Sequence, residues 1–320
     1  MNQLHTNGYL PIDVDASKQP VRVKWVNTGK EILDQNFFGE SNLDSTLRYK
    51  ASLIETPLSD LLTRPGAVDH VRPGGFIYHM SRCGSTLLCN MFDRLNKNMV
   101  FYEPVVPWRI LQLSNDNNRE YINEVFKGVI EIYGKKRLGC EENMIVKFFS
   151  VATYYIPVIL KAFPKVPRIY LYRDPVEVLV SNLADPENLS QSWFYDPRLT
   201  GQDLQQTIEV NTPLENCAYA LAGKSKAFLQ TYDENCLIVD YEQIGRPLLE
   251  RVIAHFNMSF SQSEVDEMMK AAQYNAKVRG ERFTADKDRK QRLATPGLRE
   301  VADRILGPVH EELKRLTVKL

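Results

Sequence analysis

The 320-residue chain has little cysteine and no even way of pairing it. Its five cysteines, at 83, 89, 140, 217 and 236, are odd in number and form no C-x-x-C motif. That argues against a disulfide framework and against a thiolate zinc site, and it points to a reducing compartment. There is no excess charge of either sign, because 40 Lys and Arg balance 40 Asp and Glu. Recruitment to nucleic acid or to an anionic membrane by bulk charge is thereby excluded. Long apolar runs are missing too. The opening "MNQLHTNGYLPIDVD" has no core of signal-peptide length, and "YYIPVIL" stops at Lys161, far short of the roughly 20 apolar residues a spanning helix needs. No clustered carboxylate or histidine set of the metal-binding kind is visible. The expectation is a cytoplasmic protein without nucleic-acid partner, membrane partner or metal.

What the chain does have is core material, 43% hydrophobic against 25% charged residues. Residues 1–70 read as a small β-rich extension: "VRVKWV" alternates Val21, Val23 and Trp25 with Arg22 and Lys24, the period of a half-buried strand. From about residue 71 to 320, strand and helix patterns alternate. "FIYHM", "NMIVKFF", "RIYLY" and "NCLIVDY" are strand candidates. "STLLCNMFDRL" and "PVEVLVSNL" are helix candidates, the second with proline at its first position. The C-terminal "GLREVADRILGPVHEELKRL" has helical spacing, with Pro308 as a kink or break. This alternation predicts an α/β fold, a central and mostly parallel sheet flanked by helices. Residues 184–216, polar, proline-interrupted and carrying Trp193, Phe194 and Tyr195, read as a lid or substrate loop.

Two strand-to-helix junctions carry the chemistry. In "SRCGST", Arg82 to Thr86 follow a strand and open a helix. The first helical N–H groups have no backbone partner and the helix dipole favours an anion there. Gly84 permits close approach, Ser85 and Thr86 add hydroxyls, and Arg82 adds a cation. The cation precedes the glycine and no Gly-Lys-Ser/Thr follows, so this is not a Walker A loop; an ordinary helix start capped by Ser85 is the competing reading. In "RDPVEVLVS", Arg173 ends a strand and Ser181 lies eight residues on, about two helical turns. Alone, that arginine reads as partner to Asp174 at a helix cap. Both junctions together read as grips for two phosphates.

The pair resembles the motifs of PAPS-dependent sulfotransferases. "SRCGST" is similar to that family's 5′-phosphosulfate loop, with Cys83 where a serine is usual, and "RDPVEVLVS" is similar to its 3′-phosphate motif. The resemblance covers residues 74 to 245 well and the C-terminal part loosely. It implies a P-loop NTPase-like sulfotransferase fold and a reaction that moves a sulfuryl group from PAPS to a hydroxyl or amine, releasing PAP. Arg82, Cys83, Gly84, Ser85, Thr86 and Leu87 would hold the 5′ end, and Arg173 and Ser181 the 3′-phosphate. Tyr241 stands where relatives carry an aromatic near the nucleotide. Arg279, Gly280 and Lys290 fall in the basic stretch 276–292, where the family closes a loop over it, the alternative being a solvated charged loop. Glu103, in "MVFYEPVVPW", is placed like the catalytic glutamate of tyrosylprotein sulfotransferases, with His79 as runner-up base. Lys147, in "MIVKFF", is placed like a lysine that assists the leaving group, with Arg82 beside it. Trp108, Trp193, Phe194, Tyr195 and His79 are candidates for the acceptor's walls, although His79 also reads as a core histidine. The implied acceptor is a small molecule, of the kind met in bacterial secondary metabolism. Two other readings stand beside this one: a small-molecule kinase using ATP with a degenerate loop, and a binding module that kept the nucleotide site without turnover.

Overall fold

The computed structural model describes residues 8–29, 49–62, 70–184, 211–274 and 286–317. In chain order, β1 (Tyr9–Asp15), β2 (Arg22–Asn27) and β3 (Ile54–Pro57) come first, and they form an antiparallel sheet in that order. Then follow β4 (Pro73–His79), α1 (Ser85–Asp93), β5 (Asn98–Tyr102), α2 (Val105–Gln112), α3 (Arg119–Tyr133) and β6 (Asn143–Lys147). Next are α4 (Ile156–Ala162), β7 (Arg168–Tyr172), α5 (Pro175–Leu183), α6 (Pro213–Leu229) and β8 (Cys236–Asp240). The chain closes with α7 (Arg246–His255), α8 (Gln262–Met269), α9 (Lys287–Leu293), α10 (Pro296–Val301) and α11 (Gly307–Leu316). The second sheet is five-stranded and parallel, with order β5-β6-β4-β7-β8. The alternation read from the sequence therefore gives the α/β class expected. No helix among the described residues is long and apolar enough to cross a membrane.

By contacts the chain divides into two compact units. The first takes the described residues up to Phe76, then Phe92–Pro167 and Phe256–Met258. In it Val23 and Trp25 are buried on one face of β2, as the alternation predicted, and Trp25 Nε1 donates to Thr56 Oγ1 at 2.9 Å. The three-stranded sheet is fixed to α3. Tyr133 Oη donates to the Pro11 carbonyl at 3.0 Å, and a Cβ on Gly128 would lie 1.8 Å from the Leu61 carbonyl oxygen, so only glycine admits that approach. Phe76, Phe126, Phe148 and Phe163 build the aromatic centre of this unit.

The second unit takes Ile77–Met91, Arg168–His255 and the described residues from Ser259. Its core includes Tyr170 stacked on Phe228 at 4.7 Å. Arg168, fully buried at the start of β7, is held by the Thr231 carbonyl at 2.6 Å and by Asp233 at 2.9 Å. Two details refine the sequence reading. Residues 213–216, expected inside a polar loop, instead open α6, because Thr212 and Glu215 form a reciprocal capping box over the proline start. The break expected at Pro308 is a π-helical stretch over Ala302–Leu306 just before it. Proline has no N–H to return to a carbonyl one turn back, so the ladder shifts register in the preceding turn.

Candidate functional site

The loop between β4 and α1 turns on left-handed backbone. Ser81, Arg82 and Gly84 all have positive φ, at 91°, 52° and 85°. Such left-handed residues in a tight turn form a concavity of N–H groups that suits an anion. The Leu87 N–H donates to the Gly84 carbonyl at 3.0 Å, and Ser85 and Thr86 open α1 at its positive end. Two buried side chains fix the loop from below. His79 Nδ1 accepts the Ser81 N–H at 3.1 Å, and Cys83 Sγ donates to the Leu171 carbonyl on β7 at 3.1 Å. Cys83 thus turns its thiol into the core, and His79 sits under the loop.

Gly84 is required twice over. Its φ of 85° suits glycine, and a Cβ there would lie 2.4 Å from the ring of Tyr241. The same ring lies 4.1 Å from the guanidinium carbon of Arg173, a cation–π contact. Arg173 is 4% exposed. Its Nε donates to Glu177 Oε2 at 2.6 Å and its Nη2 to Asp286 Oδ1 at 2.8 Å. Burial by itself would lower the pKa of Arg173, but the hydrogen bond to Asp286 and the charge of Glu177 outweigh it and hold the group above its ordinary value. Asp174, the alternative partner read from the sequence, is instead the cap of α5, accepting the Glu177 N–H at 3.0 Å. Lys290, on α9 and also buried, pairs with Asp286 at 2.8 Å; desolvation lowers its pKa, and the nearby Arg173 adds to that.

The two motifs meet directly. Arg82 Nε donates to Ser181 Oγ at 3.0 Å, across 99 residues of chain. The cation of the first junction thus rests on the hydroxyl of the second. Arg173, at the start of that same helix, lies against the ring that covers Gly84.

In the first unit, Glu103 and Lys147 form a pair at the ends of neighbouring parallel strands. Lys147 Nζ lies 2.8 Å from Glu103 Oε1, and the Glu103 N–H donates to the Lys147 carbonyl at 2.7 Å. Glu103 has a φ of 49°, a left-handed conformation that costs a non-glycine residue of order 1–2 kcal/mol and is kept only where the surroundings impose it. The lysine side chain is 6% exposed and the glutamate 30%, so the cation is sheltered while the carboxylate reaches solvent. Trp108, half-buried on α2, packs edge-on to Tyr155 at 5.7 Å and near Phe149 at 6.0 Å. Trp193, Phe194, Tyr195, Arg279 and Gly280 lie outside the described residues.

Sequence reasoning missed Glu177, Asp286, Phe149 and Tyr155. Glu177 was within reach: it follows Arg173 by four residues across a helix start, a spacing at which opposite charges meet. Asp286 carried no such signal, because 113 residues separate it from Arg173.

No protein-family model matches the chain, and no curated protein matches it in sequence. Solved structures similar to it include sulfotransferases. A sulfotransferase domain from the curacin biosynthetic pathway is 14% identical, with 78% of this chain and 99% of that one covered at a TM-score of 0.47. A sulfotransferase from Alicyclobacillus acidocaldarius is 15% identical, with 77% and 95% covered at a TM-score of 0.45. The mouse sulfotransferase SULT7A1 complexed with PAP is 14% identical, with 81% and 91% covered at a TM-score of 0.45.

Proposed function

We propose that the protein is a sulfotransferase that moves a sulfuryl group from PAPS to a hydroxyl or amine of a small-molecule acceptor and releases PAP. The observation that carries this reading is the contact between Arg82 and Ser181, which joins two anion-binding helix starts into one cluster with Arg173 and Tyr241. A cradle of left-handed backbone at one corner and a buried arginine at the other suit a ligand with an anion at each end.

The donor supplies the sulfuryl group on a phosphosulfate. The residues here would bind and orient it. Ser85 and Thr86 offer N–H groups and hydroxyls to its 5′ end, and Gly84 and Cys83 contribute backbone alone, since one has no side chain and the other turns its thiol inward. Leu87 closes the first turn of α1. Arg173 and Ser181 hold the 3′-phosphate, Tyr241 flanks them, and Lys290 adds a second cation. Arg82, resting on Ser181, is long enough to turn to the 5′ end when the hydroxyl takes a phosphate.

Glu103 takes the proton from the acceptor. Its part-exposed carboxylate and the neighbouring Lys147 suit that role, because the ammonium at 2.8 Å holds the carboxylate in place. Lys147 and Arg82 would steady the charge left on the departing oxygen. The Trp108, Phe149 and Tyr155 cluster favours an acceptor with an apolar or aromatic face, such as a bacterial secondary metabolite. The cytoplasm is the compartment that fits such a reaction.

The test is a pair of measurements. PAP at a hundredfold excess over its Kd is expected to stabilise the fold by about 2.7 kcal/mol, whereas ATP with Mg²⁺ gives far less. Labelled PAPS is then to transfer sulfate to at least one member of a phenol, alcohol and amine panel. Protection by ATP and not by PAP overturns the reading in favour of a kinase, and PAP binding without any turnover leaves a binding module.

A further inference from the structure

Arg173 is held by two carboxylates of different character. Glu177, in the first turn of α5 and four residues beyond Arg173, is 2% exposed and fixes the guanidinium from within the protein. The Asp286 side chain is 30% exposed and sits at the entry to α9, where it makes no capping hydrogen bond to the helix. Its two carboxylate oxygens are divided between Arg173 Nη2 and Lys290 Nζ, both at 2.8 Å. The two cations and the two carboxylates cancel. A phosphate dianion approaching that neutral cluster meets carboxylate already on Arg173 Nη2 and on Lys290 Nζ, and of the two carboxylates Asp286 is the exposed one and so the one placed to leave.

We propose that Asp286 is a built-in substitute for the donor's 3′-phosphate, holding Arg173 and Lys290 in the empty site and exchanging with the phosphate on binding. This rests on the donor reading above and adds the means by which affinity for it is set. The exchange lowers affinity for any nucleotide carrying a 3′-phosphate, the product PAP included, and so speeds its release. It leaves a ligand without that phosphate untouched, because such a ligand never competes for Arg173. Lys290 changes partner in the same step, from carboxylate to phosphate.

The experiment compares Asp286→Asn and Asp286→Ala with the unaltered protein, using PAP and adenosine 5′-phosphate as ligands, by calorimetry and by PAP dissociation rate. Both variants are expected to bind PAP roughly tenfold more tightly, the scale of a part-exposed hydrogen bond to a charged group, and to release it correspondingly more slowly. Adenosine 5′-phosphate affinity is expected to stay within twofold. Thermal melting of each free variant shows whether it is folded, and the two substitutions must agree in sign. PAP affinity that is unchanged or weaker in the variants overturns the exchange while leaving the donor reading intact, and so does an equal gain for both ligands. Failure of every protein to bind PAP overturns the donor reading and this inference together.

Discussion

Arg173 and Lys147 are both basic, both nearly buried and both ion-paired, yet they are balanced in opposite ways. Arg173 has two carboxylates and an aromatic ring around it, all on ordinary backbone. Lys147 has one paired carboxylate, and that carboxylate stands on a left-handed residue and reaches solvent. The first arrangement immobilises a charge. The second keeps an acid in place at the expense of backbone strain, which is the pattern of a group that must meet something outside the protein. On the function proposed above, a group that binds and a group that handles a proton are told apart by which partner is exposed, not by which residues are present.

That contrast can be broken at the arginine with the largest effect. Arg173→Ala leaves Glu177 as a buried carboxylate without its cation, and the expected loss is about 3–5 kcal/mol in urea unfolding, with PAP binding abolished. Replacing Arg173 and Glu177 together by methionine is expected to restore most of the stability and none of the binding. Glu103→Gln should lower the rate of transfer by roughly 10²–10⁴-fold while PAP affinity barely moves, with some fall in melting temperature because the sheltered Lys147 ammonium loses its paired carboxylate. A variant that loses PAP affinity instead would place Glu103 with the binding residues and erase the contrast.

Smaller effects sharpen it. Gly84→Ala puts a methyl group against Tyr241 at a left-handed position, for an expected cost of about 2–3 kcal/mol in stability and a marked loss of PAP affinity. The mildest prediction concerns acid. His70 in the first unit and His255 and His310 in the second all have pKa values lowered from 6.5, with burial as the main cause. Each is easier to protonate in the unfolded chain. Their contribution to stability is therefore full above pH 6.5 and is lost as the pH falls below it. Denaturant midpoints measured between pH 7.5 and 5 should fall, and a midpoint that rises over that range would contradict the burial assigned to these rings.

Much of this was legible before any coordinates. Period-two and helical spacing gave β2, β4, β7, α1 and α5, because those segments bury one face or run continuously through the core, and burial is what periodicity reports. The two strand-to-helix junctions were legible because glycine, hydroxyl and arginine are restricted choices at a helix start. What stayed hidden was of two kinds. Long-range partners such as Asp286 leave no mark on local spacing. Backbone conformations that defy their residue type, such as that of Glu103, are imposed by the neighbouring strand and not by the side chain. Pro308 marked a break, but its form as a π-turn depends on where the freed carbonyls go.

Tyr241 makes one further point. A single ring meets both the turn at Gly84 and the guanidinium of Arg173. One side chain therefore gauges both junctions at once. A chain that traded this tyrosine for an aliphatic residue would lose its gauge, and both corners would have to be retuned at once.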